Sequence, residues 1–259
     1  MGDQVVSLLK ERNVEELAAL YLVGARRLFQ LLRLFKAGRL KAGETFVVSR
    51  DTVDPYVSWR TLATGRASTM VVDYSFIAAQ TSFYVLNSVE VSSLITFRDN
   101  LLPVLRKIDS FPAANLAISL YGAENGDEQD AISAITALEA LLTKKEETEG
   151  LTYRLSMRTA NLLGNDPEAR KRIFQEVKHF YNLRSKLVHG VQLDKRMLNQ
   201  LNELNSLRET VRQVLLSALA LFSSQEDEIN LPELVDELAF DDQKRKEVQA
   251  IANLFLHAT

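Results

Sequence analysis

An arginine and a histidine five residues apart are the side chains best suited to chemistry in this sequence. Arg184 falls in the middle of an apolar helical stripe, where burial of an unpaired guanidinium would be very costly. We therefore expect Arg184 to bind a partner or to line a wet cleft. His189 follows on the last turn of the same predicted helix. A guanidinium holds phosphate oxygens through parallel hydrogen bonds and an imidazole exchanges protons near neutral pH, so the pair suits phosphodiester chemistry.

One long helix is predicted to position this pair. Asp166 is a good N-cap, and Pro167 fits the first helical position because its missing N–H costs nothing there. Gly190 marks the end, since glycine tolerates the left-handed conformation that follows many helices. About 23 residues lie between these signals. The apolar residues that recur at helical spacing are Ile173, Val177, Phe180, Leu187 and Val188.

Five further polar residues are candidates for supporting roles. Ser185 can hydrogen-bond phosphate through its hydroxyl group. Lys178 and Lys186 can contact an anionic ligand through their positive charge, and a solvated helix face is the alternative for both. Arg158 also falls in an apolar stripe, one predicted helix earlier. Glu139 can neutralise either arginine and orient it for phosphate, or it can form a purely structural ion pair.

Composition argues against several other kinds of site. The chain has no cysteine, and the spacing of its three histidines gives no support for a metal centre. Its carboxylates show no metal-loop spacing, and no Gly-x-Ser-x-Gly elbow is present. We therefore expect neither a metal nor a cofactor. The net charge of −3 argues against coating of nucleic acid through the overall field, although local basic patches remain compatible with it.

The sequence also carries expectations about location. Charged residues interrupt the apolar residues near the N-terminus, so no signal peptide is visible. No apolar run approaches the length of a membrane span. With cysteine absent as well, we expect a cytoplasmic protein that does not bind membranes.

The N-terminal part of the chain is predicted to mix helix and strand. Residues 4–36 have apolar residues at helical spacing. Residues 44–86 contain short segments rich in β-branched and aromatic residues, separated by turn-forming residues, which predicts a small antiparallel sheet. A loop at 121–127 is the best linker candidate, and it suggests a boundary near 110–126. We divide the chain into residues 1–110, a recognition or regulatory part, and residues 111–259.

Helix is predicted again from residue 91, and everything after the 121–127 loop is predicted to be helical. The predicted helices cover residues 91–108, a short stretch after Pro112, 127–145, 149–163, the long helix described above, 195–222 and a last helix ending near His257. In the 195–222 helix, apolar residues recur at alternating intervals of three and four residues. This spacing indicates the seam of a helical bundle. The predicted fold class is mainly α, a C-terminal helical bundle with a small N-terminal α+β region that contains a short antiparallel sheet.

The segment Tyr181-Asn-Leu-Arg184-Ser-Lys-Leu-Val-His189-Gly190 resembles the signature of HEPN domains, which place an arginine, four to six residues and a histidine near a helix end. The resemblance is closest to the Apea-like HEPN group. Its other elements are similar to Ala137–Leu142 and Tyr153–Gly164 in this chain, and the strong match covers about residues 112–222. The region that precedes such domains is similar to Leu34–Gly38. Many HEPN nucleases have Asn, Asp or His directly after the arginine, whereas this chain has Ser185.

The resemblance implies a HEPN-like helical bundle that dimerises, so that two Arg–His motifs form one composite cleft. It also implies a metal-independent endoribonuclease with Arg184 and His189 as catalytic residues and RNA as substrate. Lys178 and Lys186 would then contact the RNA backbone. We expect a toxin-like or antiphage defence effector that acts as a homodimer, with an antitoxin or regulatory partner to be considered. Two alternatives stay open: a non-catalytic HEPN-like dimerisation or nucleic-acid-binding module, and an antitoxin-like partner of a separate enzyme.

Overall fold

A computed structural model describes residues 27–36, 86–121, 126–192, 194–224 and 229–256. These ranges are mainly helical, as predicted, and contain no strand. The predicted sheet within residues 44–86 and most of the predicted helix at 4–36 lie outside the described residues. The helices are α1 (27–35), α2 (Ser88–Arg106), α3 (Pro112–Tyr121), α4 (Asp127–Leu142), α5 (Leu151–Leu163), α6 (Pro167–Val188), α7 (Lys195–Leu201), α8 (Leu204–Ser224), α9 (Leu231–Glu237) and α10 (Asp242–Leu256).

Helix α8 lies at the centre of the bundle. It packs against α10, α4 and α3. Its predicted seam is confirmed, since the following residues are all buried: Leu204, Leu207, Val211, Val214, Ala218 and Leu221. Helices on both sides of the predicted 110/111 boundary contribute to the same apolar core, including Leu34 from α1 and Phe97 and Leu101 from α2.

Residues 195–222 were predicted to form a single helix. The structure has two helices there, α7 and α8, so the prediction of one continuous helix was wrong. At the break, the N–H of Asn202 donates to the carbonyl of Asn199 at 3.2 Å, and the N–H of Ser206 donates to the carbonyl of Glu203 at 2.9 Å. These bonds join residues three apart, which tightens the chain into turns and interrupts the α-helical pattern. Helix α7 has a cap of its own, because Asp194 accepts a hydrogen bond from the N–H of Met197.

Helix boundaries elsewhere follow local capping. Helix α2 begins at Ser88, earlier than predicted, because Asn87 and Glu90 form a capping box with reciprocal bonds of 2.9 Å. Pro112 begins α3 as predicted. Gly150, in the left-handed conformation, directly precedes α5.

Within the described ranges, no helix has the length and apolar character needed to cross a membrane.

Candidate functional site

Helix α6 carries both candidate catalytic residues, and its predicted start is confirmed. The carboxylate of Asp166 accepts a hydrogen bond from the N–H of Ala169 at 2.7 Å, and Pro167 is the first helical residue. This bond satisfies one of the N–H groups that a helix start leaves without a partner. The helix packs most extensively against α5, and also against α4 and the first part of α8.

The end of α6 is fixed by its own backbone. Gly190 has a φ of +68°, its N–H donates to the carbonyl of Leu187 at 3.1 Å, and the N–H of Val191 donates to the carbonyl of Lys186 at 3.0 Å. This pair of bonds is the Schellman motif, which requires the left-handed residue that glycine supplies most easily. His189 therefore becomes the C-cap residue, and it is exposed to solvent.

The apolar face of α6 differs from the predicted stripe at one position. Val177 and Phe180 are buried as predicted, and Leu183 joins them, whereas Val188 is 54% exposed. At about 100° per residue, Val188 lies about 80° from Phe180 and Leu183 only about 60° from it. Val188 thus sits at the edge of the stripe, next to the exposed His189.

Arg184 is neither sealed in the core nor free in solvent. Its side chain is 27% exposed, and its Nη2 atom lies 3.3 Å from Oε2 of Glu139 on α4. The Nε atom is buried, and among the described residues no acceptor reaches it. A guanidinium has five N–H donors; one meets Glu139 and the buried Nε–H is closed to solvent, so three donors on Nη1 and Nη2 have no partner among the described residues.

Tyr181 completes the cluster formed by Arg184 and Glu139. The sequence alone had not marked Tyr181 as a site residue. Its hydroxyl group lies close enough to Glu139 to interact with that carboxylate. Burial raises the pKa of Tyr181, and the negative charge of Glu139 raises it further. Its position three residues before Arg184 was the available signal, because residues three apart on a helix are neighbours.

Arg158 belongs to a different network and shares no carboxylate with Arg184. Its Nε and Nη2 atoms donate to the two oxygens of Asp236 at 2.7 and 2.8 Å, and Nη1 donates to the carbonyl of Leu142 at 2.7 Å. Nη1 and Nη2 also donate to the two oxygens of Glu147, both at 2.6 Å. All five donors of this side chain, which is only 3% exposed, are thereby engaged. Arg158 was predicted to support a phosphate site, but it has no free donor left to bind phosphate.

The electrostatics of the Arg158 network are those of a tight ion pair. Hydrogen bonds from Arg158 lower the pKa of Glu147 to about 2, with further help from the N–H of Lys144 and from Arg154. The hydrogen bonds that Arg158 donates to Glu147 and Asp236 raise the pKa of Arg158. Each charge stabilises the other, so this cluster joins α5, the loop before it and α9.

The remaining predicted site residues all lie on α6. Ser185 is half-buried, and Lys178 and Lys186 are exposed. The Nζ atom of Lys178 lies 5.9 Å from the centre of the Phe174 ring, in a cation–π contact. The described part of the chain contains no group of three or more histidine, aspartate or glutamate side chains that could hold a metal ion.

The geometry thus gathers Glu139, Tyr181 and Arg184 on one side of α6 and places His189 at the exposed end of the same helix. A partly free guanidinium and an exposed imidazole can bind a phosphodiester and move protons at it. No protein-family model, curated protein or solved structure matches this chain. The resemblance to HEPN domains therefore rests on the residues of the motif, and it stays a prediction.

Proposed function

We propose that this chain is a metal-independent endoribonuclease of HEPN type that acts as a homodimer. One observation carries the proposal: Arg184 is held by a single contact in a half-open position on the helix that ends at the exposed His189. A purely structural arginine would have its donors engaged, as Arg158 has.

RNA carries its own nucleophile, the 2′-hydroxyl. A base removes the proton from this hydroxyl, its oxygen forms a bond to phosphorus, and the bond from phosphorus to the 5′-oxygen breaks as an acid protonates that oxygen. The products are a 2′,3′-cyclic phosphate and a free 5′-hydroxyl. Arg184 stabilises the charge that develops on the phosphate oxygens, and His189 transfers a proton.

The need for both a base and an acid supports the dimer. The described end of α6 supplies one histidine, His189. A second copy related by a twofold axis would bring a second His189 to the same phosphodiester, and twofold contacts are the commonest kind between identical chains. The exposed Val188 and Val191, 54% and 49% accessible, flank His189 and provide apolar surface for such a contact.

We assign the nuclease to residues 111–259, with residues 1–110 as a recognition or regulatory part. The resemblance to the Apea-like HEPN group favours a toxin-like or antiphage defence effector acting on RNA in the cytoplasm. Glu139 orients Arg184, and Ser185, Lys178 and Lys186 supply further contacts to phosphate. An antitoxin or regulatory partner is part of the proposal.

The test is cleavage of total RNA by the purified full-length chain in EDTA, with the new ends mapped. We expect 2′,3′-cyclic phosphate ends, and a loss of about 10²- to 10⁴-fold in rate for His189→Ala. His179→Ala is the matched control, because His179 is a half-buried histidine on the same helix. Full activity of a folded His189→Ala variant would contradict the mechanism.

A mixing experiment tests the shared cleft. Wild-type and His189→Ala chains are unfolded, mixed in different ratios and refolded together. If each cleft needs both histidines, mixed dimers are inactive and activity falls with the square of the wild-type fraction. Activity proportional to that fraction would indicate independent sites.

The second candidate is a non-catalytic HEPN-like dimerisation or nucleic-acid-binding module. The Glu139 ion pair favours it, because it partly neutralises the arginine that would otherwise hold phosphate. Tight binding of RNA that stays intact in the same assay would support this candidate. The antitoxin-like alternative predicts that the chain instead inhibits a separate enzyme.

A further inference from the structure

The exposed face of α6 carries a row of basic and amide side chains that runs to His189. We call this the basic row, and its members are Lys171, Gln175, Lys178, Asn182, Lys186 and His189. All six are exposed. At about 100° per residue they fall within an arc of about 80°, and at 1.5 Å per residue they extend over about 27 Å.

The charge of this row differs in sign from that of the whole chain. From Lys171 to His189 the row contains three lysines and no carboxylate, with the exposed Glu168 one turn before its start, whereas the chain carries a net charge of −3. Basic residues concentrated on one face attract phosphates even when the whole protein is acidic. The amide groups of Gln175 and Asn182 lie between the lysines and can hydrogen-bond to phosphate or sugar.

Beside the row stands an exposed aromatic pair. Tyr153 on α5 is 61% exposed, and its ring meets the ring of Phe174 edge to face, with centroids 5.7 Å apart. Lys178 lies against the same Phe174 ring. The tyrosine is thus held against α6 with much of its surface open to solvent, next to a lysine of the row.

Charge and aromatic surface together favour one kind of partner. Lysines track the phosphates of any nucleic acid, but an exposed ring next to them provides a stacking surface for an unpaired base. In a duplex the base faces are covered by their neighbours, and an acidic protein offers no base to stack. We propose that the basic row and Tyr153 form a track for single-stranded RNA that delivers the strand to His189; this rests on the proposed function and defines its substrate class.

The lysines are tested by binding. The probe is a fluorescently labelled, unstructured oligoribonucleotide, and the protein is the full-length chain with His189→Ala, so that the RNA stays intact. Affinity is measured by anisotropy at several salt concentrations. Combining Lys171→Gln, Lys178→Gln and Lys186→Gln should weaken binding and reduce the slope of log affinity against log salt by about 2, since each phosphate contact on a single strand contributes about 0.7.

Lys246→Gln is the matched control. Lys246 is an exposed lysine on α10, which packs mainly against α8. This variant should bind RNA with unchanged affinity and slope. A loss for Lys246→Gln of about one third of that for the combined variant, in log affinity and in slope, would show that only the number of charges matters, and the track would be wrong.

The tyrosine is tested separately. Tyr153→Ala should weaken binding about tenfold with an unchanged salt slope, because stacking on a ring is not electrostatic. Tyr153→Phe should bind like the parent, since it keeps the ring. Unlabelled single-stranded RNA should compete better than a duplex of the same sequence or polyglutamate. Equal competition by the duplex or by polyglutamate, or normal binding by Tyr153→Ala, would overturn the proposal.

These results separate the two proposals. If RNA binds along the row but the wild-type chain never cleaves it, the nuclease is wrong and the track stands. If the wild type cleaves RNA while the lysine and tyrosine variants bind normally, the nuclease stands and the track is wrong.

Discussion

Two arginines occupy apolar helical positions in this chain, and their surroundings are opposite. Arg158 is 3% exposed, and its five donors meet two carboxylates and a carbonyl. Arg184 is 27% exposed, meets Glu139 at 3.3 Å and keeps a buried Nε without an acceptor among the described residues. A fully paired charge can stabilise a fold but has no capacity left for a ligand. A partly paired charge gives up stability and keeps that capacity.

Replacing each arginine in turn and measuring the free energy of unfolding tests this comparison most sharply. Arg158→Met should lower the free energy of unfolding by about 3 to 5 kcal/mol, because Glu147 is left buried without its main partner. The melting temperature should fall by roughly 10 °C. Arg184→Met should lower the free energy of unfolding by no more than about 1 kcal/mol, since its ion pair is partly solvated.

Thermal and urea unfolding of the two variants, followed by circular dichroism, measure this difference. Arg184→Met should also lose RNA cleavage while it remains folded. Equal destabilisation by the two substitutions would show that both arginines are structural.

Acid should weaken the Arg158 cluster through protonation of Glu147. The folded-state pKa of Glu147 is about 2, below its ordinary value of 4.5. Its contribution to stability is therefore complete above about pH 4.5 and is lost as the pH falls toward 2. The shift corresponds to roughly 3 kcal/mol. Urea unfolding of the wild type and of Glu147→Gln across this range isolates the effect, because the variant should lack it. Parallel pH profiles would contradict the assignment.

The smallest effect on stability is expected from a change in Glu139, the carboxylate that pairs with Arg184. Glu139→Gln keeps the size of the side chain and removes its charge, so stability should change by no more than about 1 kcal/mol. Cleavage should fall about tenfold, because the guanidinium of Arg184 is no longer held in one orientation. Initial rates on the same RNA measure the effect, with Glu147→Gln showing the reverse pattern: large destabilisation and normal cleavage once folded.

Local signals in the sequence predicted much of the helical framework. Asp166, Pro167 and Gly190 defined α6 because caps act on the backbone within one turn. The seam of α8 was also predictable, since burial follows the helical period. The start of α2 was predicted three residues too late, because the Asn87–Glu90 capping box that marks it was not recognised.

The break between α7 and α8 was not predicted, because the apolar period continues through it. Which carboxylate pairs with each arginine was not predictable either. Glu139 lies 45 residues from Arg184, and Asp236 lies 78 residues from Arg158. Sequence reasoning allowed Glu139 to neutralise either arginine, and nothing in the spacing excluded one of them.

The sequence by itself determined where α6 begins and ends, and therefore that an arginine and a histidine lie at its C-terminal end. It could do so because helix caps and apolar periodicity depend on residues close together in the chain. Only the tertiary structure decided which arginine is sealed and which stays partly open. That outcome depends on which carboxylates distant helices bring within hydrogen-bonding distance, and such contacts arise from packing of the whole bundle.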